Sequence, residues 1–251
     1  MNKQKSQKKV INTEIKGDSA SLADLATNML RNKILDLSLA PSEHLEDRIL
    51  LEKFSFGRTP LREALNRLMS EGLVETKNGR GAYVASMGIW HTLQLLEAYE
   101  INERVVASLI KFEDNGLIKD LINIQLNFEK LSKNLDLLGI TEINSKFHNR
   151  LAKSTGNKFI FDQSAHLHNL VRRLSYFVYR SEQVSTLEIS SQLPLINNHH
   201  HKIIKFIQKI DRKHLMKVMN EHTNLFRKRL SKIIEGKMDS ELNFPTIERH
   251  S

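Results

Sequence analysis

Two sets of residues in this 251-residue chain have types and spacing suited to chemistry. The first is cationic. Leu61, Ala64, Leu65, Leu68 and Met69 recur at i, i+3, i+4, i+7 and i+8, which gathers them on one stripe of a helix. Arg58, Arg62, Asn66 and Arg67 then face outward. Thr59 is expected to cap the amides at the helix start, and Pro60 suits a first-turn position where its missing N–H costs nothing. Cations at a helix N-terminus oppose the helix dipole, so stability alone does not select Arg58. Phosphate oxygens or guanine edges of a bound duplex would reverse that penalty.

The second set is rich in histidine. Asn144 and His148 are four apart and share one helix face. His200 and His222 lie in two later amphipathic segments. Imidazoles from three helices, with the Asn144 oxygen alongside, could hold a divalent metal, zinc or similar, in a helical core. Spacing alone favours a packing role over a metal, because 11 histidines produce such subsets by chance. His199 and His201 read as solvated neighbours of His200.

The surrounding sequence indicates how these residues are carried. Leu45 to Lys53 forms an amphipathic segment, Ser55-Phe56-Gly57 a short turn, and the Arg-bearing helix follows. That order is a helix-turn-helix. Leu73 to Thr76 is strand-like, Asn78-Gly79 is a strong two-residue hairpin signal, and Ala82 to Ala85 returns as a second strand. Arg80 at the tip would reach a phosphate or the minor groove. From Trp90 the strand signals vanish, and amphipathic stretches run to about Ile234: Leu117–Leu135, Glu142–Ala152, Phe159–Tyr179, Leu193–Lys209 and Arg212–Ile234. The fold class is mainly α, an N-terminal winged helix-turn-helix followed by an all-α bundle. The expected divisions are a basic disordered tail at 1–18, the winged domain at 19–87, the helical domain at 90–236 and a flexible tail at 237–251.

Composition narrows the function. A net charge of +9 and a pI near 9.6 imply an anionic partner, most economically nucleic acid. The absence of cysteine excludes disulfides and thiolate metal ligands and fits a reducing cytoplasm. No apolar run approaches the ~20 residues of a spanning helix, and Lys3, Lys5, Lys8 and Lys9 do not lead into a signal-peptide core.

Residues 22 to 85 resemble the winged helix-turn-helix of the GntR superfamily of bacterial regulators. The resemblance rests on Arg58-Thr59-Pro60-Leu61-Arg62-Glu63-Ala64-Leu65, on Arg80-Gly81-Ala82-Tyr83-Val84, and on Leu39-Ala40-Pro41 after the first helix. It implies base and phosphate contacts for Arg58 and Arg62, backbone contacts for Arg48 and Thr59, and minor-groove entry by Asn78 and Gly79. Ser55 stands where the family usually has glycine, Gly57 where it has Ser or Thr, and Leu51 where it has Ala. The turn is therefore expected to be repacked, without the hydroxyl that would meet a phosphate at position 57.

Asn144 to His148, Gly156-Asn157, His200-x-x-Ile203 and Met219-Asn220-Glu221-His222 are similar, in order and spacing, to the FCD ligand-binding domain of the FadR branch. This resemblance implies His148, His200 and His222 as metal ligands, with Asn144 where metal-binding members have Asp. Asn102 replaces an arginine that faces the effector in many members, and Val106 replaces a glutamate. Arg172 and Arg173 are further candidate effector contacts. The expectation is a homodimeric, ligand-responsive transcription factor, with repression of a double-stranded DNA operator relieved by a small organic acid. Two alternatives stand beside it. A metal-dependent hydrolase lacks a general-base carboxylate at motif spacing, a nucleophile elbow and a phosphate loop. An effector-independent DNA-binding protein would follow if the pocket has decayed.

Overall fold

The computed structural model describes residues 21–54, 56–77, 81–184 and 189–238. The lysine-rich start, Ser55, the hairpin tip Asn78-Gly79-Arg80 and the terminal segment from 239 lie outside them.

The amino-terminal part packs α1 (Leu22–Leu35), α2 (Asp47–Phe54) and α3 (Arg58–Ser70) beside an antiparallel pair, β1 (Val74–Thr76) and β2 (Ala82–Val84). A capping box starts α1: the Asp24 amide donates to Ser21 Oγ at 3.1 Å and the Ser21 amide to Asp24 Oδ2 at 2.8 Å. The apolar stripe of α3 buries Leu61, Ala64, Leu65 and Leu68 against Leu30, Ile34 and Leu50. The strands pair Val74 with Val84, Glu75 with Tyr83 and Thr76 with Ala82. Residues 42–45 run along the outer side of β2, with Leu45 N–H donating to Ala82 O and Val84 N–H to Glu43 O. No alternation of apolar residues in that segment announces this extra rung.

One expectation is corrected. Helix α3 begins at Arg58, its N-cap is Gly57, and no side chain caps it. Thr59 therefore lies inside the first turn rather than before it. An N-cap side chain must precede the helical residues to reach back to the N2 and N3 amides.

The carboxy-terminal part is a closed ring of six helices. Their order in space is α4 (Ile89–Leu109), α7 (Lys158–Val184), α6 (Leu137–Lys153), α5 (Leu117–Lys133), α8 (Ile189–Gln208) and α9 (Arg212–Met238), and α9 packs back on α4. Several helices outrun the periodic segments that announce them. Helix α6 starts at Leu137 because Asp136 accepts from the Gly139 amide at 3.0 Å. Helix α8 starts at Ile189 and carries Pro194 in its second turn.

Contacts among the described residues join head and ring. Leu37, held at φ 61° after α1, packs against apolar clusters of the bundle. Gly72, at φ 72°, ends α3 where a Cβ would meet Leu170 Cδ2 at 3.1 Å and His166 Cε1 at 3.2 Å, both on α7. Arg173, also on α7, donates to Ala85 O at 2.8 Å and Ser86 O at 3.0 Å in the segment leaving the wing.

Candidate functional site

The first candidate surface is the outer side of α3. Arg58, Thr59, Arg62 and Asn66 are exposed there, and Arg48 is exposed near the start of α2. The Arg62 side chain is 72% exposed, and among the described residues its acidic neighbour is Asp47, at 3.9 Å. Arg67 is different: it is tied to Asp24 and Glu63 and braces α3 against α1. The first turn of α3 contains no acidic residue and no side-chain cap, and Arg58 at its start and Arg62 one turn on are both exposed. That arrangement suits an external anion.

The second site is a buried polar layer at the centre of the ring, and every helix supplies a side chain to it. Glu103 comes from α4, Gln125 from α5, His148 from α6, His168 from α7, His200 from α8 and His222 from α9, all of them buried. Apolar clusters lie on both sides. Val106, Leu121, Leu151, Ile203 and Val218 form one; Phe128, Ile140 and Ile196, with Leu96, Tyr99 and Phe226, close the other side.

Hydrogen bonds orient the rings. His148 Nδ1 lies 2.6 Å from Glu103 Oε2, and His168 Nε2 lies 3.0 Å from Glu103 Oε1. His200 Nδ1 meets Gln125 Oε1 at 2.8 Å, while its ring stacks on Phe147. With Nδ1 donating to Glu103, His148 Nε2 offers its lone pair, 3.1 Å from His222 Nε2. Ligand atoms of His148, His200 and His222 all lie within 4.8 Å of one another. His200 Nε2, His222 Nδ1 and Asn144 Oδ1 are buried without a hydrogen-bond partner. Three histidines with ligand atoms this close, and orphaned acceptors on three helices around them, fit a cation. Oxygen acceptors behind the rings, as at Glu103 and Gln125, are what metal-bound imidazoles usually have.

Electrostatics favour the same reading. Burial pushes His200 and His222 well below the usual imidazole range, with the neighbouring imidazoles adding to the effect. Neutral rings are the form that binds metal. Burial alone would raise the Glu103 carboxyl, but its contacts with His148 and His168 hold it far below the ordinary carboxylate range.

A narrow cavity opens beside this layer, touching Asn144 and His222 and lined also by Tyr99, Ser175, Tyr179 and Arg229. Its interior, about 20 Å³, holds roughly one water. Arg229 is already bound by Glu182 through two contacts, at 2.7 and 2.6 Å.

Of the sequence-derived candidates, His148, His200 and His222 come together, and Asn144 lines the cavity beside His222. Asn102, Arg172 and Arg173 do not line the cavity. Asn102 Nδ2 donates to Ser164 Oγ at 2.6 Å, and Arg173 holds the linker carbonyls. Arg172 lies 3.6 Å from Glu142, with its buried Nε unpartnered. Glu103, His168 and Gln125 belong to the site although no motif points to them. A signal for Glu103 is present: with Leu96, Tyr99, Val106 and Ile110 it completes the inward stripe of α4, where a charge is out of place.

Comparison with known proteins identifies both parts of the chain. Residues 22–84 match the family described as bacterial regulatory proteins, gntR family, and residues 95–225 match the FCD domain. The chain is 27% identical over 166 residues to the HTH-type transcriptional repressor GlaR of Escherichia coli K12, across 62% of this chain and 73% of that protein. It is 23% identical over 220 residues to the Glc operon transcriptional activator of the same organism, across 80% of each. A putative GntR transcriptional regulator from Rhodococcus sp. RHA1 shares the fold, with a TM-score of 0.66 over 86% of this chain and 99% of that one at 15% identity.

Proposed function

This chain belongs to the gntR family of bacterial regulatory proteins and carries an FCD domain, and we propose that it represses its operator until a small organic acid-type effector binds. It is a DNA-binding transcriptional regulator and not an enzyme. The observation that carries the finer reading is continuity: helix α7 supplies His168 to the buried centre, lines the cavity with Ser175, and grips the wing's exit through Arg173.

In this reading Arg58 and Arg62 contact bases and phosphates, and Arg48 and Thr59 contact backbone. Asn78, Gly79 and Arg80 supply the wing's contacts. The protein acts in the cytoplasm as a homodimer, which sets two heads on successive half-sites of a pseudo-palindrome. Trp90, 82% exposed, together with exposed Leu93, Ile101 and Val105 on α4, supports an apolar partner face. Asn144, His148, His200 and His222 hold a divalent metal. A bound cation would supply a Lewis-acidic point for an effector oxygen; the chain's own groups supply orientation and an enclosed wall. The effector occupies an opened form of the cavity beside Asn144 and His222, where Ser175 and Tyr99 offer hydroxyls. Effector binding must favour one relative placement of the heads, since equal affinity for both shifts nothing.

The sign follows the repressor GlaR rather than the Glc operon activator, to which the chain is also similar. Capture of genomic fragments by the purified protein, followed by a small-acid panel, tests this. Release of a captured fragment by an acid supports repression. Acid-strengthened binding would reverse the sign, and acid-independent binding would leave a regulator whose pocket has decayed.

A further inference from the structure

The metal centre of this chain is short of negative charge among the ligands themselves. His148, His200, His222 and Asn144 are all uncharged when they coordinate, so a divalent cation among them keeps its full charge inside a helical core. An uncompensated buried charge of that size is costly. The structure holds the complementary anomaly one layer out. Glu103 is 1% exposed, and its two oxygens are met by two imidazoles, His148 at 2.6 Å and His168 at 3.0 Å. Sealing a carboxylate into a core is costly for the same reason. The two anomalies share one residue, His148, whose Nδ1 faces the carboxylate and whose Nε2 faces the three-histidine set.

We propose that Glu103 is the anionic component of the metal centre, moved from the ligand position, where Asn144 has no charge, to a place behind His148. This rests on the metal reading of the histidine set. Glu103 is a positioning residue: it fixes the His148 tautomer that offers Nε2, and its charge polarises that ring toward the cation. His168 occupies the second carboxylate oxygen and prevents Glu103 from turning away. Val106, where the resembling family has a glutamate, lies one helical turn along the same inward face. The carboxylate of α4 is thus present but displaced by three residues.

The test is zinc affinity of the full-length protein, stripped with chelator and titrated in competition with a chromophoric chelator. Glu103→Gln keeps the side-chain volume and one acceptor while removing the charge. It is expected to bind zinc about 10–100-fold more weakly than the unaltered protein. Adding Asn144→Asp to Glu103→Gln restores most of that affinity, whereas Asn144→Asp alone gains less, because the charge is already supplied. This non-additivity is a readout that a merely structural role would not move. Thermal unfolding of the metal-free variants checks that each folds. Should Glu103→Gln fail to fold, His168→Gln gives a second reading, a weakening in the same direction but smaller. Equal zinc affinity in Glu103→Gln and the unaltered protein, or a weakening that Asn144→Asp does not restore, overturns the proposal. No zinc uptake by the unaltered protein overturns instead the metal reading beneath it.

Discussion

Replacing Arg173 by methionine isolates the joint between sensor and DNA-binding head. The guanidinium is buried and makes two bonds, 2.8 Å to Ala85 O and 3.0 Å to Ser86 O. Hydrogen bonds from a charged donor contribute about 1.5–3 kcal/mol each. Burial opposes them, pressing the Arg173 pKa down to about 10, a cost of roughly 3 kcal/mol to the charged form. Methionine keeps most of the stem's packing and removes that cost, but strands two carbonyls at about 1–3 kcal/mol apiece. Even with every term at its low end the balance is a destabilisation of about 2 kcal/mol, borne by the wing's exit segment rather than by the ring core. Urea unfolding of the Arg173→Met protein measures the first part. Operator titration with and without effector measures the second, and the response to effector is expected to shrink more than basal DNA affinity. A stability change below about 0.5 kcal/mol, the range of an ordinary surface substitution, with an intact effector response, would refute the clamp.

Two further outcomes follow from the geometry. Gly72→Ala combines a φ of 72° with a Cβ only 3.1 Å from Leu170 Cδ2; the left-handed conformation alone costs about 1–2 kcal/mol, so a lower melting temperature is expected, and an unchanged one would mean that α3 and α7 do not meet there. Metal-free protein should also lose stability as pH falls below about 6.5, the unfolded imidazole value. His200 and His222 have folded values well below 6.5, so the unfolded state binds protons first, and stability falls by up to roughly 1.4 kcal/mol per pH unit for each. Flat urea midpoints between about pH 6.5 and 5 would show that these rings are not buried neutral.

The recognition helix is legible in the sequence because its apolar stripe, Leu61 to Met69, and its exposed arginines obey one period. The histidine set is legible because motif order places His148, His200 and His222 on three helices. Glu103 and His168 escape for a physical reason: a charged or polar residue within a helix reads as solvated until tertiary packing surrounds it. Only the stripe formed by Tyr99, Glu103, Val106 and Ile110 shows that Glu103 must point inward. Arg173 reads as an effector contact in the sequence, which gives no direction to a long side chain; its acceptors lie 87 and 88 residues away. The α3 cap falls two positions earlier than expected, because Thr59 is a good capping residue even where the helix has already begun.

The most direct test of the central claim is the salt dependence of binding to a captured genomic fragment. Fluorescence anisotropy would be followed from about 50 to 200 mM salt, a range over which several phosphate contacts cost orders of magnitude in affinity. The intact protein should show that steep fall. The Arg58→Ala, Arg62→Ala double variant should bind more weakly, with a slope reduced by about one for each phosphate that an arginine no longer neutralises. The same affinity and slope in both proteins would contradict a DNA-reading role for α3.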